Sequence, residues 1–224
     1  MEKFKGKYRI ESNRLKGWDY SSDAMYFITL VTQGRECNLG EIVKSDGRPI
    51  EMILSDFGQI VDSEWLKSFE IRNELYLDEY IVMPNHLHAI VVIEKTFDDD
   101  SNDTQGLNDT PVDTHGRASL PPPPPPSQTP SFYRLPKSIS SFVGGFKSAI
   151  NSKIDDYIDQ HQLPIPKYNR NNHFFQPNYP DHIIRNDDEY QRIKNYIINN
   201  PKKWAEDTFN VKTQSRASQP NDNK

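Results

Sequence analysis

Two histidines, His86 and His88, stand one residue apart in the stretch MPNHLHAIVVI. Side chains of a strand alternate between its two faces, so on a strand both imidazoles project the same way, a few ångströms apart. Neutral imidazoles placed like this can chelate a divalent cation, while Leu87, Ala89 and Val91 turn to the opposite, packed face. The competing reading is two surface histidines on a half-exposed strand. The pair heads a strongly apolar strand directly after a tight turn, which favours metal, but the spacing alone names no reaction. Far along the chain are two tyrosines on one helical segment, Tyr190 and Tyr196. Tyr190, Ile193, Ile197 and Trp204 share a stripe at three-to-four spacing, so Tyr190 reads as core. Tyr196 lies off that stripe, with Arg192 one turn before it and Asn200 one turn after.

Several elements must hold these side chains. MYFITLVT, Met25 to Thr32, is aromatic and β-branched, a strand signal. Phe57 to Ile71 carries Ile60, Trp65 and Phe69 at helical spacing. LYLDEYIVM and HLHAIVVI read as two strands around the turn-forming Pro84-Asn85. Lys137 to Tyr157 is helical in pattern through Ile139, Phe142, Val143, Phe146, Ile150 and Ile154. A last helix is expected over Asp187 to Asn200, capped by Asn186 with Glu189 at capping-box spacing and ended by Pro201. Strands with helices around them predict an α+β sandwich with a largely antiparallel sheet.

Thr96 to Ser131 has almost no aliphatic content and ends in the run Pro121 to Pro126. Such a stretch buries too little apolar surface to offset its ordering entropy, so a flexible acidic, proline-rich linker is expected. A proline-recognition module could also bind the run. The organisation expected is one domain in two parts, 1–95 and 132–206, around an inserted linker, 96–131, with a flexible tail over 207–224. Within the 224 residues no apolar run reaches the ~20 residues of a membrane span, and the N-terminus lacks a signal-like apolar segment. Cys37 is the only cysteine, so no internal disulfide or cysteine-based zinc site forms. A cytoplasmic protein with no membrane partner is expected. The net charge of −5 argues at first against nucleic acid. Glu94 to Arg117, however, holds seven acidic residues against two basic, whereas Arg134 to Trp204 holds eleven basic against seven acidic. The parts with folding patterns are mildly basic, which permits DNA binding.

YIVMPNHLHAIVVI closely resembles the histidine–hydrophobic–histidine motif of the IS200-like transposases, single-tyrosine (Y1) enzymes of the HUH group, and especially their REP-associated tyrosine transposase branch. RLKGWDYSSDAMYFITLVT, FKSAINSKI and FFQPNYPDHIIRNDDEYQRIKNYIINNPKKW resemble the same family in the same order. Together these pieces cover nearly all of the chain outside linker and tail.

The resemblance implies the ferredoxin/RRM-like antiparallel sheet of the HUH single-strand nucleases, with helices packed on it. It implies a DNA transposase acting on single-stranded or hairpin DNA through a 5′-phosphotyrosine. Tyr196, in the tyrosine–isoleucine–x–x–Asn-Pro pattern, matches the nucleophile, and Asn200 matches an Asn or Gln that completes the metal shell beside His86 and His88. The ion would be Mg²⁺ or Mn²⁺, with a homodimer among the possible assemblies. Candidate DNA contacts are Arg14, Lys16, Trp18, Tyr20, Lys147, His182, Arg185 and Arg192, and Tyr8 could stack on a base. Each of these has an ordinary packing or solvated alternative. A non-catalytic regulator that binds single-stranded or hairpin DNA on the same fold, and a metal-dependent hydrolase using activated water, both remain open.

Overall fold

The computed structural model describes residues 14–44, 47, 49–95, 137–169 and 171–210, together with the backbone of two short paired strands, β1 (Lys3–Phe4) and β2 (Lys7–Tyr8). The segment expected as a linker and the chain beyond Asn210 lie outside the described residues, as does the side chain of Tyr8.

The centre is a four-stranded antiparallel sheet made of β3 (Ala24–Val31), β6 (Leu75–Met83), β7 (His86–Ile93) and β8 (Asp181–Ile184), in the order β6-β7-β3-β8. A short hairpin of β4 (Gly40–Val43) and β5 (Glu51–Leu54) stands beside it. The fold is α+β, as the strand-and-helix pattern predicts.

Strand alternation sorts the side chains into two layers. On one face Tyr26, Ile28, Leu30, Leu87, Ala89 and Val91 pack with α1 (Asp56–Glu70) and α2 (Ile139–His161) into the main core. The Trp65 ring lies 5.0 to 5.3 Å from those of Phe69, Phe142 and Phe146, which locks the two helices together. On the other face Ile90 and Ile184 meet Ile193 and Ile197 of α3 (Asp187–Lys203), with Met25, Phe27, Ile81 and Tyr190 at the margin. This second core is small, so α3 is held to the sheet by few apolar groups. Each of them therefore matters more to the placement of what α3 carries.

Three local expectations differ from what is observed. Helix α3 does not stop at Asn200 but continues through Pro201 to Lys203, followed by a 3-10 turn over Trp204–Glu206. Proline disfavours helix at the preceding residue, yet Ile197 and Asn200, in the turn before Pro201, are both buried, and this packing outweighs the local preference. The Asn186 side chain caps α3 by accepting from the Glu189 N–H, but the Glu189 carboxylate does not return to Asn186. It accepts instead from the Arg185 N–H, at 3.0 Å, and from His182 Nε2, at 2.8 Å. The chain also does not fray at Asp207: Asp207 and Asn210 are buried.

Candidate functional site

The hairpin Met83–His86 sets the register that builds the site. His86 lies opposite Val31 and His88 opposite Thr29, so both imidazoles face the α3 layer, as strand alternation requires. Their ring centroids are 4.4 Å apart. Both are buried, at 0% and 2% exposure, which removes the reading as surface histidines. Each Nδ1 has a partner behind it: Asn85 Oδ1 at 2.9 Å for His86 and Thr29 Oγ1 at 2.8 Å for His88. Both Nε2 atoms are then left to face the interior of the site.

Helix α3 brings Tyr196 to this point. Its hydroxyl shares a hydrogen bond with His88 Nε2 across 3.1 Å, and the Phe27 ring lies 5.3 Å from His88 and edge-on to Tyr196 at 6.2 Å. Tyr196 remains 39% exposed, whereas Tyr190 is packed against the small core with its hydroxyl accepting from Lys194. One turn beyond Tyr196, Asn200 is buried and its Nδ2 donates to Asp207 Oδ2 over 3.4 Å. The Asp207 Oδ1 accepts from the Phe209 N–H at 2.6 Å, and the Phe209 ring comes to 4.8 Å from that of His86. Arg35 secures this last segment, donating to the Thr208 carbonyl at 3.2 Å with its guanidinium over the Phe209 ring.

Burial pushes both imidazoles down, His88 to about 3, and the neighbouring His88 adds to the effect on His86. Both are neutral at ordinary pH, the state in which imidazole binds a cation. The Tyr196 phenol is pushed up by burial and by the Asp207 carboxylate, with Asn200 pulling the other way.

The donor set fits a divalent cation. Among the described residues, His86, His88 and Asp207 each offer a ligand atom, all within 4.8 Å of one another. Two more features belong to the same neighbourhood: His86 Nε2 and Asn200 Oδ1 are buried with no hydrogen-bond partner, and Asn200 reaches Asp207 through its Nδ2. Orphaned buried polar atoms are costly, and two of them beside a buried carboxylate and a second imidazole fit a cation-binding cluster. Asp207, Asn85, Thr29 and Phe209 had no sequence signal as site residues. Only the fold brings them to the histidines.

The structure does not gather the remaining candidates at this centre. The Arg14 guanidinium donates to Ser140 and Tyr179, faces Asp181 at 3.7 Å and lies over the Tyr20 ring. Tyr20 itself is buried, its hydroxyl accepting from the Leu15 N–H. Lys147 donates to the Gln176 carbonyl at 2.5 Å and lies over Tyr179. These groups tie the segment before β3 to α2 and β8 on the other side of the sheet. Trp18 is partly exposed, with Nε1 donating to Tyr26 Oη at 3.2 Å, and Lys16 is exposed. His182 and Arg192 gather on Glu189 at the start of α3, and Arg185 is exposed beside them.

No family model matches this sequence. The sequence is 31% identical over 210 residues to an uncharacterized protein of Haemophilus influenzae, covering 92% of this chain and 96% of that one. Among solved structures, a REP-associated tyrosine transposase bound to a REP hairpin is similar at 17% identity and a TM-score of 0.43, over 96% of this chain and 88% of that one. A candidate transposase from Deinococcus radiodurans R1 is similar at 15% identity and a TM-score of 0.34, over 84% of this chain and 96% of that one. These scores mark a loose overall likeness.

Proposed function

We propose that this chain, which belongs to one family with the Haemophilus influenzae protein, is a metal-dependent transposase-type enzyme that cleaves and rejoins single-stranded or hairpin DNA through Tyr196. The observation that carries this reading is the Tyr196 hydroxyl 3.1 Å from His88 Nε2, beside a buried His86 Nε2 and Asn200 Oδ1 that have no partner. A pure DNA-binding module requires neither the buried histidine pair nor a tyrosine against it. The sequence resemblance to the IS200-like transposases supplies the substrate class.

In this reading His86, His88 and Asp207 hold Mg²⁺ or Mn²⁺, with Asn200 Oδ1 completing the set. A bound cation supplies Lewis-acid polarisation of the scissile phosphate and stabilises the charge that develops there. The chain's own residues do the rest. The Tyr196 hydroxyl is held beside His88 Nε2 on a residue that is 39% exposed, which would leave its oxygen accessible to a phosphate. The phenol oxygen then bonds to phosphorus and the bond to the 3′-oxygen breaks. The phenolic proton is lost as the departing oxygen becomes a 3′-hydroxyl, so the products are a 5′-phosphotyrosine and a free 3′ end. Attack by a 3′-hydroxyl on that linkage reverses the step without nucleotide hydrolysis. Arg192, one turn before Tyr196, and Arg185 are both exposed, and in this reading they would meet backbone phosphate.

The test is incubation with single-stranded hairpin DNA and Mn²⁺ or Mg²⁺, followed by denaturing electrophoresis. A slower protein–DNA band that disappears in Tyr196→Phe and in His86→Ala supports the reading. Cleavage that persists in Tyr196→Phe assigns the nucleophile to water. Binding without cleavage under every metal assigns the protein to recognition alone.

A further inference from the structure

Asn85 occupies the second position of the two-residue turn between β6 and β7, where asparagine is usually explained by a left-handed backbone. That explanation does not apply. Among the described residues, the non-glycine positions with positive φ are Arg35, Lys137 and Gln162, and Asn85 is not one of them. The residue is fully buried, so its amide must be satisfied from within the protein.

The side chain meets three groups. Its Nδ2 donates to the Arg35 carbonyl at 3.0 Å and to the Phe209 carbonyl at 2.8 Å. Its Oδ1 lies 2.9 Å from His86 Nδ1. Carbonyls only accept, so two of them around one end of the amide fix which end is nitrogen. The other end is then an oxygen, which also only accepts. His86 Nδ1 must therefore carry the proton, and His86 Nε2, the atom with no partner, must present a lone pair to the cluster. His88 differs. Its Nδ1 partner is the Thr29 hydroxyl, which can give or take a hydrogen bond and leaves that ring free to exchange roles with Tyr196.

We propose that Asn85 is the positioning residue of the metal centre. Its amide locks His86 in the tautomer that ligates through Nε2 and pins the 207–210 segment that delivers Asp207. The inference rests on the metal site described above but on neither the tyrosine chemistry nor the DNA substrate. One side chain thus couples the orientation of a strand ligand to the docking of a ligand from the far end of the chain. Asp207 reaches the cluster because Phe209 is held on both sides, by its own N–H to Asp207 Oδ1 and by its carbonyl to Asn85.

The experiment is long-range ¹H–¹⁵N NMR of the histidine rings in the metal-free full chain, with Mn²⁺ affinity measured by calorimetry. No DNA is present, so failure of the transposase reading and failure of this one are separable. In the wild type, His86 is expected to show protonated Nδ1 and unprotonated Nε2. Asn85→Ala is expected to lose that preference and to bind Mn²⁺ roughly 10–100-fold more weakly, the scale seen when a partner behind a ligating histidine is removed. Asn85→Asp retains an acceptor for His86 but cannot donate to the Phe209 carbonyl. It should keep the tautomer while still losing Mn²⁺ affinity, a split that a merely structural hairpin residue would not produce. A wild-type His86 protonated at Nε2, a wild type that does not bind Mn²⁺, or an Asn85→Ala protein with unchanged tautomer and affinity overturns the proposal. If Asn85→Ala does not fold, the wild-type spectrum and Asn85→Asp decide it.

Discussion

Ligation at this site should stabilise the fold by an amount that the orphaned atoms allow to be bounded. In the metal-free protein, His86 Nε2 and Asn200 Oδ1 are desolvated without a partner. At ~1–3 kcal/mol for each such group, their relief is worth roughly 2–6 kcal/mol, less the ~1 kcal/mol of the Tyr196–His88 hydrogen bond that ligation displaces. Linkage gives a comparable scale, because a free cation at ~100 times its Kd adds about 2.7 kcal/mol to the folded state. For a chain of this size that raises Tm by roughly 5–10 °C. The assay is thermal unfolding followed by far-ultraviolet circular dichroism, with Mn²⁺ and Mg²⁺ titrated separately. Asn200→Leu sharpens it. That change replaces an orphaned acceptor with an apolar group of similar size, and gives up the long 3.4 Å contact to Asp207 and the side-chain interaction with Tyr196. The metal-free variant should be within ~1 kcal/mol of the wild type, the relieved acceptor offsetting the lost donor, while its response to metal shrinks. A wild-type Tm indifferent to both cations, or an Asn200→Leu protein that responds in full, would refute the reasoning.

Three further outcomes are expected. Ile197→Ala removes a fully buried side chain from the small core under α3 and should cost ~2–5 kcal/mol in urea unfolding, with loss of the DNA adduct because Tyr196 is the adjacent residue. Burial raises the Asp181 carboxyl above its ordinary value near 3.8, while Tyr20 and Arg14 offset part of the rise. Its folded pKa thus exceeds its unfolded one, so the cost it imposes is absent below about 3.8, grows as pH rises from there through the folded value, and is constant above. Asp181→Asn should lack that component, and the difference in stability between the two proteins should change between pH 3.5 and pH 7 in that direction, on the order of a kcal/mol per unit of pKa. Arg192→Ala should change stability by under ~0.5 kcal/mol, since its partner contact to Glu189 is an exposed one, yet weaken single-stranded DNA binding and reduce the salt slope by ~0.7.

The parts of the site legible in the sequence are those governed by periodicity. His86 and His88 are two apart on a strand, so they share a face whatever the strand packs against, and Leu87, Ala89 and Val91 duly fill the opposite core. Tyr196 is off the apolar stripe of its helix, and that stripe, Ile193 with Ile197, is what α3 buries. Asp207 was not legible. A lone aspartate after the last apolar residue of a helix carries no periodic signal, and the polar stretch around it reads as a tail. What makes it a site residue is a set of long-range contacts, Asn85 to Phe209 and Arg35 to Thr208, each spanning more than half of the chain. Asn85 was readable as a turn former, but the turn is only where it sits, and its amide is what the site uses. The four-residue strand β8 was missed because DHII is too short to show alternation. Arg14 and Lys147 look like phosphate contacts by type, but their charges meet Ser140, Tyr179 and the Gln176 carbonyl.

The two ends of the break between β7 and α2 are fastened to one turn. Lys95 donates its backbone N–H to Asp23 Oδ1 at 3.1 Å as the chain leaves β7, and Ile139 donates its own to the Tyr20 carbonyl at 3.1 Å as the chain enters α2. The last described residues after β7 and the first turn of α2 thus lie together, at the end of β7 opposite the histidines and roughly 24 Å from His86 along the strand. For a flexible connection between two such points, halving the length changes the free energy of closure by only ~0.6 kcal/mol. A change of length between those two points would therefore cost little at the end that carries the histidines. The same position offers a splice point where a reporter domain or a second DNA-reading module could be grafted while the chemistry is left as it is.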